Sequence, residues 1–329
     1  MLELISFPVY AASMAEYGGA AELAASCRSL SCGGIEAVWG GDRAMDALPQ
    51  GFAPGYHLIF YPDWVDLWRG DEDALMKKFG SREAWTAFYG GADRQALLAQ
   101  YRADLDRAVR LGARYAVLHV SDVSLEEGYT YRWLHTDKEV MDAALELANL
   151  LFAQGRCPLA LLVENQWWPG FRFTDPAATE YLLDGLRFEN KGIELDIGHL
   201  MNTDPDLRSE AEGIGYLHRM LDAHGPLCRY IRGIHLHQSL SGEYVRTHTG
   251  MVPEGLSGDY VTRFGQSYAH ILQIDRHQPW TDPDIAEVVR RIAPEFLTHE
   301  LSCKNRAERE QAVALQRETL RKGGMPSCL

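Results

Sequence analysis

Apolar and polar positions along the chain alternate between two periods. Eight short runs rich in β-branched or aromatic residues punctuate it: Leu2–Phe7, Gly34–Trp39, Gly55–Phe60, Tyr115–Val120, Leu159–Glu164, Gly192–Ile197, Tyr230–Leu236 and Phe296–Leu301. Most are apolar on both faces, as strands buried in a parallel sheet are. Between them the period lengthens to that of helices. Asp93–Leu111 sets Leu97, Leu98, Tyr101, Leu105, Ala108 and Val109 on one face. Thr136, with Glu139 three residues on, makes a capping box for a helix over Asp137–Phe152. Asp175-Pro176 and Asp282-Pro283 each pair an N-cap with proline at the first helical position. Glu210–His224 and Arg306–Arg321 are the remaining clear helices.

Eight strands alternating with helices predict a (β/α)8 TIM barrel, with one domain over residues 1–329. Two links are irregular. The second-to-third link is too short and Gly/Pro-rich for a good helix, and the third-to-fourth is long and carries Trp64, Trp68 and Trp85. Gln238–Ile274 lacks strong periodicity and is expected to be an insertion at the C-terminal face, about 238–274, where long loops act as lids or binding loops.

Composition narrows the class. With 329 residues and 46% apolar content the chain can bury a full core, which excludes a disordered protein. No apolar run is long enough to span a membrane. The opening Met1-Leu-Glu-Leu-Ile has neither the basic region nor the cleavage site of a signal peptide. The six cysteines form no CxxC pair and read as reduced thiols of a cytoplasmic protein. A net charge of −14 argues against nucleic acid as a partner and for a small-molecule substrate. A homo-oligomer packed through outer helices is compatible with the sequence.

Residues at the C-terminal ends of barrel strands converge on one mouth. There the sequence places His119, Glu164, Asp196 with His199, His235 with His237, and Glu300. His57, in Gly-Tyr-His-Leu-Ile-Phe-Tyr, either joins them or lies at its strand's start. Each of these alone reads most simply as a hydrogen-bonded or salt-bridged core residue. Their recurrence at the same place in five consecutive units changes the reading, because buried charges need partners and carboxylates alone would repel. Imidazole plus carboxylate around a divalent cation is satisfied. His299 alternates with Glu300 and should face the helices, while His135, His218, His224 and His270 are expected at the surface.

The ordered set Val-Glu164-Asn, Asp196-Ile-Gly-His199, Gly-Ile-His235-Leu and Glu300 resembles the xylose isomerase-like barrel superfamily of sugar isomerases, epimerases and endonuclease IV-type enzymes. Asp275-Arg-His277 resembles the Asp-x-His element found before the last helix in that superfamily. The resemblance implies Glu164, Asp196, His235 and Glu300 as a metal tetrad, with His199 beside it. In endonuclease IV-like members nine such ligands hold three zinc ions, and His57, His119, Asp275 and His277 would complete that set. Two departures stand out: the link from His237 to Asp275 is long, so that Arg246-Thr-His248 rivals Asp275/His277, and no dense Lys/Arg loop awaits a duplex.

Two enzymatic readings and one binding reading follow. The favoured one is a metal-dependent isomerase or epimerase of a sugar or sugar phosphate. In it one ion grips vicinal oxygens while Glu164 and Glu300 move a proton between faces. Trp64, Trp167, Trp168 and Trp280 would stack on the sugar or close the pocket, with His237 beside the substrate. The alternative is a multinuclear zinc hydrolase of phosphoesters or other polar bonds, which His57, His119 and His277 favour. The third is a metal-binding barrel without catalysis. The expected cofactor is one to three divalent ions of the zinc or manganese class per chain.

Overall fold

The computed structural model describes residues 1–152 and 157–326. A strand forms at each of the eight apolar runs. These are β1 (Leu2–Val9), β2 (Ile35–Trp39), β3 (Gly55–His57), β4 (Tyr115–His119), β5 (Ala160–Glu164), β6 (Lys191–Asp196), β7 (Ile231–Leu236) and β8 (Phe296–His299). Every neighbouring pair is parallel, and β1 closes onto β8 with Leu2 opposite Phe296 and Ile5 opposite His299. The expected (β/α)8 barrel is what forms.

Closure gives each strand an inside and an outside, and period-2 alternation decides which residue goes where. Leu4, Tyr115, Val117, Ala160, Leu162 and Phe296 pack together inside the barrel. The opposite parity, including Ile5, Phe7, Ile35, Leu161, Val163, Leu195, Ile234 and Leu297, packs in the larger core that also takes in the helices. The parity that puts Tyr115 and Ala160 inside carries His119 and Glu164 inward too, because each pair is separated by an even number of residues. His299 has the outward parity; its Nε2 lies 3.3 Å from Glu3 and its Nδ1 2.9 Å from Gln316 of the last helix, as expected.

The Thr136–Glu139 capping box forms, with each residue's side chain meeting the other's backbone N–H. Asp175 caps the helix Pro176–Gly185, and the other clear helices fall at Arg94–Leu111, Glu210–His224 and Arg306–Lys322. Two details differ. Val109 is 40% exposed, and the helix after Asp282-Pro283 begins two residues later, at Ile285, behind Asp284. The long third-to-fourth link holds three short helices, Val65–Arg69, Glu72–Phe79 and Arg82–Tyr89, ended by Gly70, Gly80 and Gly90 at φ of 72°, 78° and 70°. Those left-handed C-caps cost glycine no Cβ clash. The insertion holds the helices Gly242–His248 and Tyr260–Ile274. Among the described residues no helix is long and apolar enough to cross a membrane. Five of the cysteines are free, and Cys328 lies outside the described residues.

Of the histidines expected at the surface, His224 and His270 are buried and His135 is half-buried. His224 stacks on Phe173 with ring centroids 3.8 Å apart and meets Thr179. His270 lies against Tyr244 and the Gly128 carbonyl. His135 bridges Asp122 (2.8 Å) and Asp66 (3.1 Å). Helix and loop positions that sequence periodicity calls outward are covered here by the long βα connections. His135 belongs to a buried ionic cluster: Lys78 Nζ lies 2.6 Å from both Asp63 and Asp66, and Asp63 also accepts the Tyr260 hydroxyl. The cluster ties the helix Tyr260–Ile274 to the loops after β3 and β4, and so fixes that helix over the mouth.

Burial alone would lower the His135 pKa, but its hydrogen bonds to Asp122 and Asp66 outweigh this and raise it from 6.5 to about 10. Its contribution to stability is therefore complete below about pH 6.5 and fades as pH rises toward 10. His135→Gln should lower the melting temperature at pH 6 and flatten its decline between pH 7 and 10. Melting scans that show the same alkaline slope for both proteins would remove His135 from the account.

Candidate metal centre

The inner parity of the barrel delivers its polar side chains to one rim. His57 ends β3, His119 ends β4, Glu164 ends β5, Asp196 ends β6 and Glu300 follows β8 directly. His235 sits inside β7, and His237 follows that strand. Local bonding sharpens these positions. Asp196 caps the helix Ile197–Asn202 by accepting the His199 N–H at 2.6 Å, which swings His199 over the rim. The Asn165 side chain brackets Asp196, donating to its carbonyl at 3.0 Å and accepting its N–H at 2.9 Å. These contacts give the Glu-Asn and Asp-x-x-His pieces a physical purpose.

Despite the long insertion, Asp275 and His277 return to the rim. Gln238 and Gln278 exchange backbone hydrogen bonds of 2.8 and 3.0 Å, so the insertion leaves and re-enters at one point. His277 adopts φ of 46°, a left-handed conformation that an L-residue pays for and that its surroundings enforce. His248, the rival, is exposed and stacks on Tyr244 away from the rim. Asp275 and His277 are the pair at the rim.

The donors fall into three adjoining groups, each with its ligand-type atoms within 4.8 Å of one another. In the first, the Nε2 atoms of His57 and His119 lie 3.0 Å apart and 3.2 and 3.0 Å from Glu164 Oε2. In the second, His235 Nδ1 lies 2.9 Å from Glu300, 3.4 Å from Glu164 and 3.6 Å from Asp196. In the third, His237 Nε2 lies 2.9 Å from Asp196, in a group with His199 and His277. Asp275 joins it, 3.2 Å from His199 Nε2 and 3.4 Å from His277 Nδ1. Glu164 serves the first two groups and Asp196 the last two.

Hydrogen bonding does not account for this packing. Glu164 Oε1, His235 Nδ1, Glu300 Oε2 and His237 Nδ1 are buried and make no hydrogen bond. His235 Nδ1 and Glu300 Oε2 approach to 2.9 Å without the angle of one. Lone pairs converging at such distances fit a cation between them, and mixed imidazole and carboxylate donors fit the zinc and manganese class. Burial would raise the carboxyl pKa values of Glu164 and Asp196, but the surrounding imidazoles outweigh it and hold both well below the usual carboxylate range.

Two inward carboxylates escaped the sequence reading. Glu36 on β2 lies 2.9 Å from His235 Nε2 and accepts the Tyr115 hydroxyl at 2.7 Å. That contact directs Nδ1 of the same ring toward the second group. Glu194 on β6 is fully buried with neither oxygen hydrogen-bonded, and burial raises its carboxyl pKa well above the usual carboxylate range. Parity could have found Glu194, which stands two residues before Asp196. Two expected substrate contacts also move: His237 is fully buried among the ligand-type groups, and Trp280 is in the core, donating its indole N–H to the His237 carbonyl at 2.9 Å. Trp64, Trp167 and Trp168 do line a cavity of about 540 Å3 above the rim. Its floor includes His57, His119, His199, Asp275, His277 and Glu300.

A sequence profile described as xylose isomerase-like TIM barrel matches residues 26–322. No functionally curated protein matches the chain. Among solved structures, a candidate xylose isomerase from Rhodospirillum rubrum is similar over 97% of this chain and 99% of its own, with 14% identity and a TM-score of 0.53. A protein called IOLI, solved with a zinc atom, is similar over 98% of each chain, with 11% identity and a TM-score of 0.50. At these identities the likeness is one of fold.

The third group explains the glycine of Asp-Ile-Gly-His. A Cβ on Gly198 would stand 2.0 Å from the His237 ring, which Asp196 holds. Alanine normally favours a helix over glycine by about 1 kcal/mol. Here the overpacking should win and Gly198→Ala should destabilise by roughly 1–3 kcal/mol, read by urea unfolding. A stabilised variant would mean that the His237 ring sits elsewhere.

Proposed function

We propose, given that the chain belongs to the xylose isomerase-like TIM barrel family, that it is a divalent-metal enzyme hydrolysing a polar bond of a small molecule at a centre of up to three ions. The observation that carries this is the sharing of Glu164 and Asp196 between adjoining donor groups. A barrel using one ion has no need of the outer histidines, whereas adjoining ions need bridging carboxylates. The sequence alone favoured isomerisation of a sugar or sugar phosphate; the convergence of the nine candidate residues, with His237 beside them, supports hydrolysis instead.

When bound, ions of the zinc or manganese class supply Lewis acidity and offset negative charge that develops on the substrate. The chain's residues do the rest. Glu300 is the one member of the second group that lines the cavity, 20% exposed at its side chain. It takes a proton from the attacking water as the scissile bond breaks and returns it to the leaving oxygen. Glu164, fully buried, holds the first two donor groups in register. Trp167, whose ring centroid lies 5.1 Å from that of His199, shields the floor from bulk water. Nucleic acid is not the proposed substrate: no Lys or Arg is among the described residues lining the cavity, and the chain carries −14.

A second reading has its own support. Glu164 and Glu300 come from strands far apart in the barrel order, yet both approach His235 Nδ1. Such a pair suits proton transfer in an isomerase or epimerase with one ion at the second group.

Elemental analysis after reconstitution and gel filtration should find two to three zinc- or manganese-class ions per chain. A single ion would favour the isomerase, and none would end both readings. Glu164→Gln should cost at least about a hundredfold in turnover while leaving far-UV circular dichroism unchanged. Glu36→Gln should weaken metal affinity by roughly 10–100-fold, since Glu36 orients His235 from behind; an unchanged affinity would make that contact incidental.

A further inference from the structure

The cavity above the rim carries its carboxylates at the floor, and the rest of its lining is mainly apolar, with Ser121, Ser124, Gln166 and Ser267 among it. Its walls are rings and aliphatic chains: Trp64, Trp167 and Trp168 from the βα loops, and Phe264, Ile271 and Leu272 from the helix Tyr260–Ile274. The ring surfaces are broad, with Trp167 and Trp168 centroids 4.2 Å apart and Phe60 stacked on His119 at 4.6 Å. Apolar lining continues to the outside, where Phe60, Tyr268 and Leu272 are 47%, 62% and 37% exposed. No lysine or arginine is among the described lining residues, so a phosphate, sulfate or carboxylate distant from the floor would lie desolvated and unpaired. At about 540 Å3 the cavity falls within the roughly 300–1,000 Å3 that encloses a drug-sized ligand, and a single sugar ring would leave much of it unfilled.

We propose that the substrate joins two unlike halves. One is an oxygen-rich reacting end that reaches the histidine–carboxylate floor, and the other an uncharged apolar group, aromatic or similarly flat, held by the tryptophan and insertion-helix walls. An aryl glycoside or an aryl ester has this form; a free sugar phosphate does not. The inference rests on the metal-enzyme reading for the orientation of the substrate but not for the existence of the apolar subsite. The same walls also set specificity, because burying a ring there favours an aryl compound over its methyl counterpart whatever bond is cleaved.

Calorimetry with three hydroxamates tests this: 2-naphthohydroxamate, acetohydroxamate and phosphonoacetohydroxamate, each titrated into zinc-loaded protein and into protein stripped with EDTA. On the loaded protein the naphthyl compound should bind at least about tenfold tighter than the methyl compound, and the phosphonate should gain nothing. In Tyr268→Ala/Leu272→Ala, both at exposed positions of the insertion helix, the naphthyl-to-methyl ratio should fall to less than half its wild-type value. Naphthyl binding that survives metal removal supports the apolar subsite even where the metal reading fails. Equal affinities for the naphthyl and methyl compounds on loaded protein, or tighter binding of the phosphonate, overturns the proposal while leaving the metal reading intact.

Discussion

Four carboxylates and six imidazoles enclosed at one barrel rim can coexist only if their charges compensate one another, and the rest of the molecule is arranged around that constraint. An isolated charge in such a place costs several kcal/mol, and carboxylates gathered without cations would take up protons instead. Glu194 leans that way one layer below, where burial with no hydrogen-bonding partner raises its carboxyl pKa well above the usual range. At the rim the imidazoles keep Glu164 and Asp196 ionised. The difference between these layers is not the kind of carboxyl but the number of nitrogen donors around it.

Strand alternation made much of this arrangement legible. A run such as Leu159–Glu164 announces both a buried strand and, by parity, an inward carboxylate at its end. The eight strands and the strand-end residues His119, Glu164, Asp196, His235 and Glu300 followed from that rule, whereas Asp275 and His277 rested on the family resemblance and His57 stood between the rim and its strand's start. Glu36 did not, because it lies in the second residue of its strand, with no motif around it, and its partner His235 is 199 residues away. Histidines 135, 224 and 270 escaped for a related reason: periodicity shows which helix face is apolar but not which polar face a later loop will cover. The insertion helix Tyr260–Ile274 hid its period because Val261, Tyr268 and Leu272 are exposed while Tyr260 and Ile274 are buried, spreading apolar residues around its circumference.

The insertion answers to the same constraint as the rim. It leaves and returns through the Gln238–Gln278 pair, delivering Asp275 and His277 as though no residues intervened. Its helix is fixed at the far end by Tyr260, whose hydroxyl joins the Lys78–Asp63 cluster and accepts the Leu125 N–H. Held at both ends, the helix can present an apolar face to the cavity without that face collapsing onto the polar floor.

Walls and floor then act on each other. Apolar walls exclude water, and in a drier site every charge on the floor is felt more strongly by whatever lies against it. The floor in turn needs walls that carry no charge of their own, since a lysine or arginine among them would pair with Glu300 or Asp275 and take a donor from the rim. An all-apolar interior would in general be at least as stable as one filled with buried ionic pairs. Stability therefore gives no reason to keep ten ionisable groups and a buried Glu194 in the middle of this barrel. The strained His277 backbone points the same way: conformational cost is concentrated where the donors converge. What the barrel gives up in core packing it gains in a set of donor atoms converging at one rim.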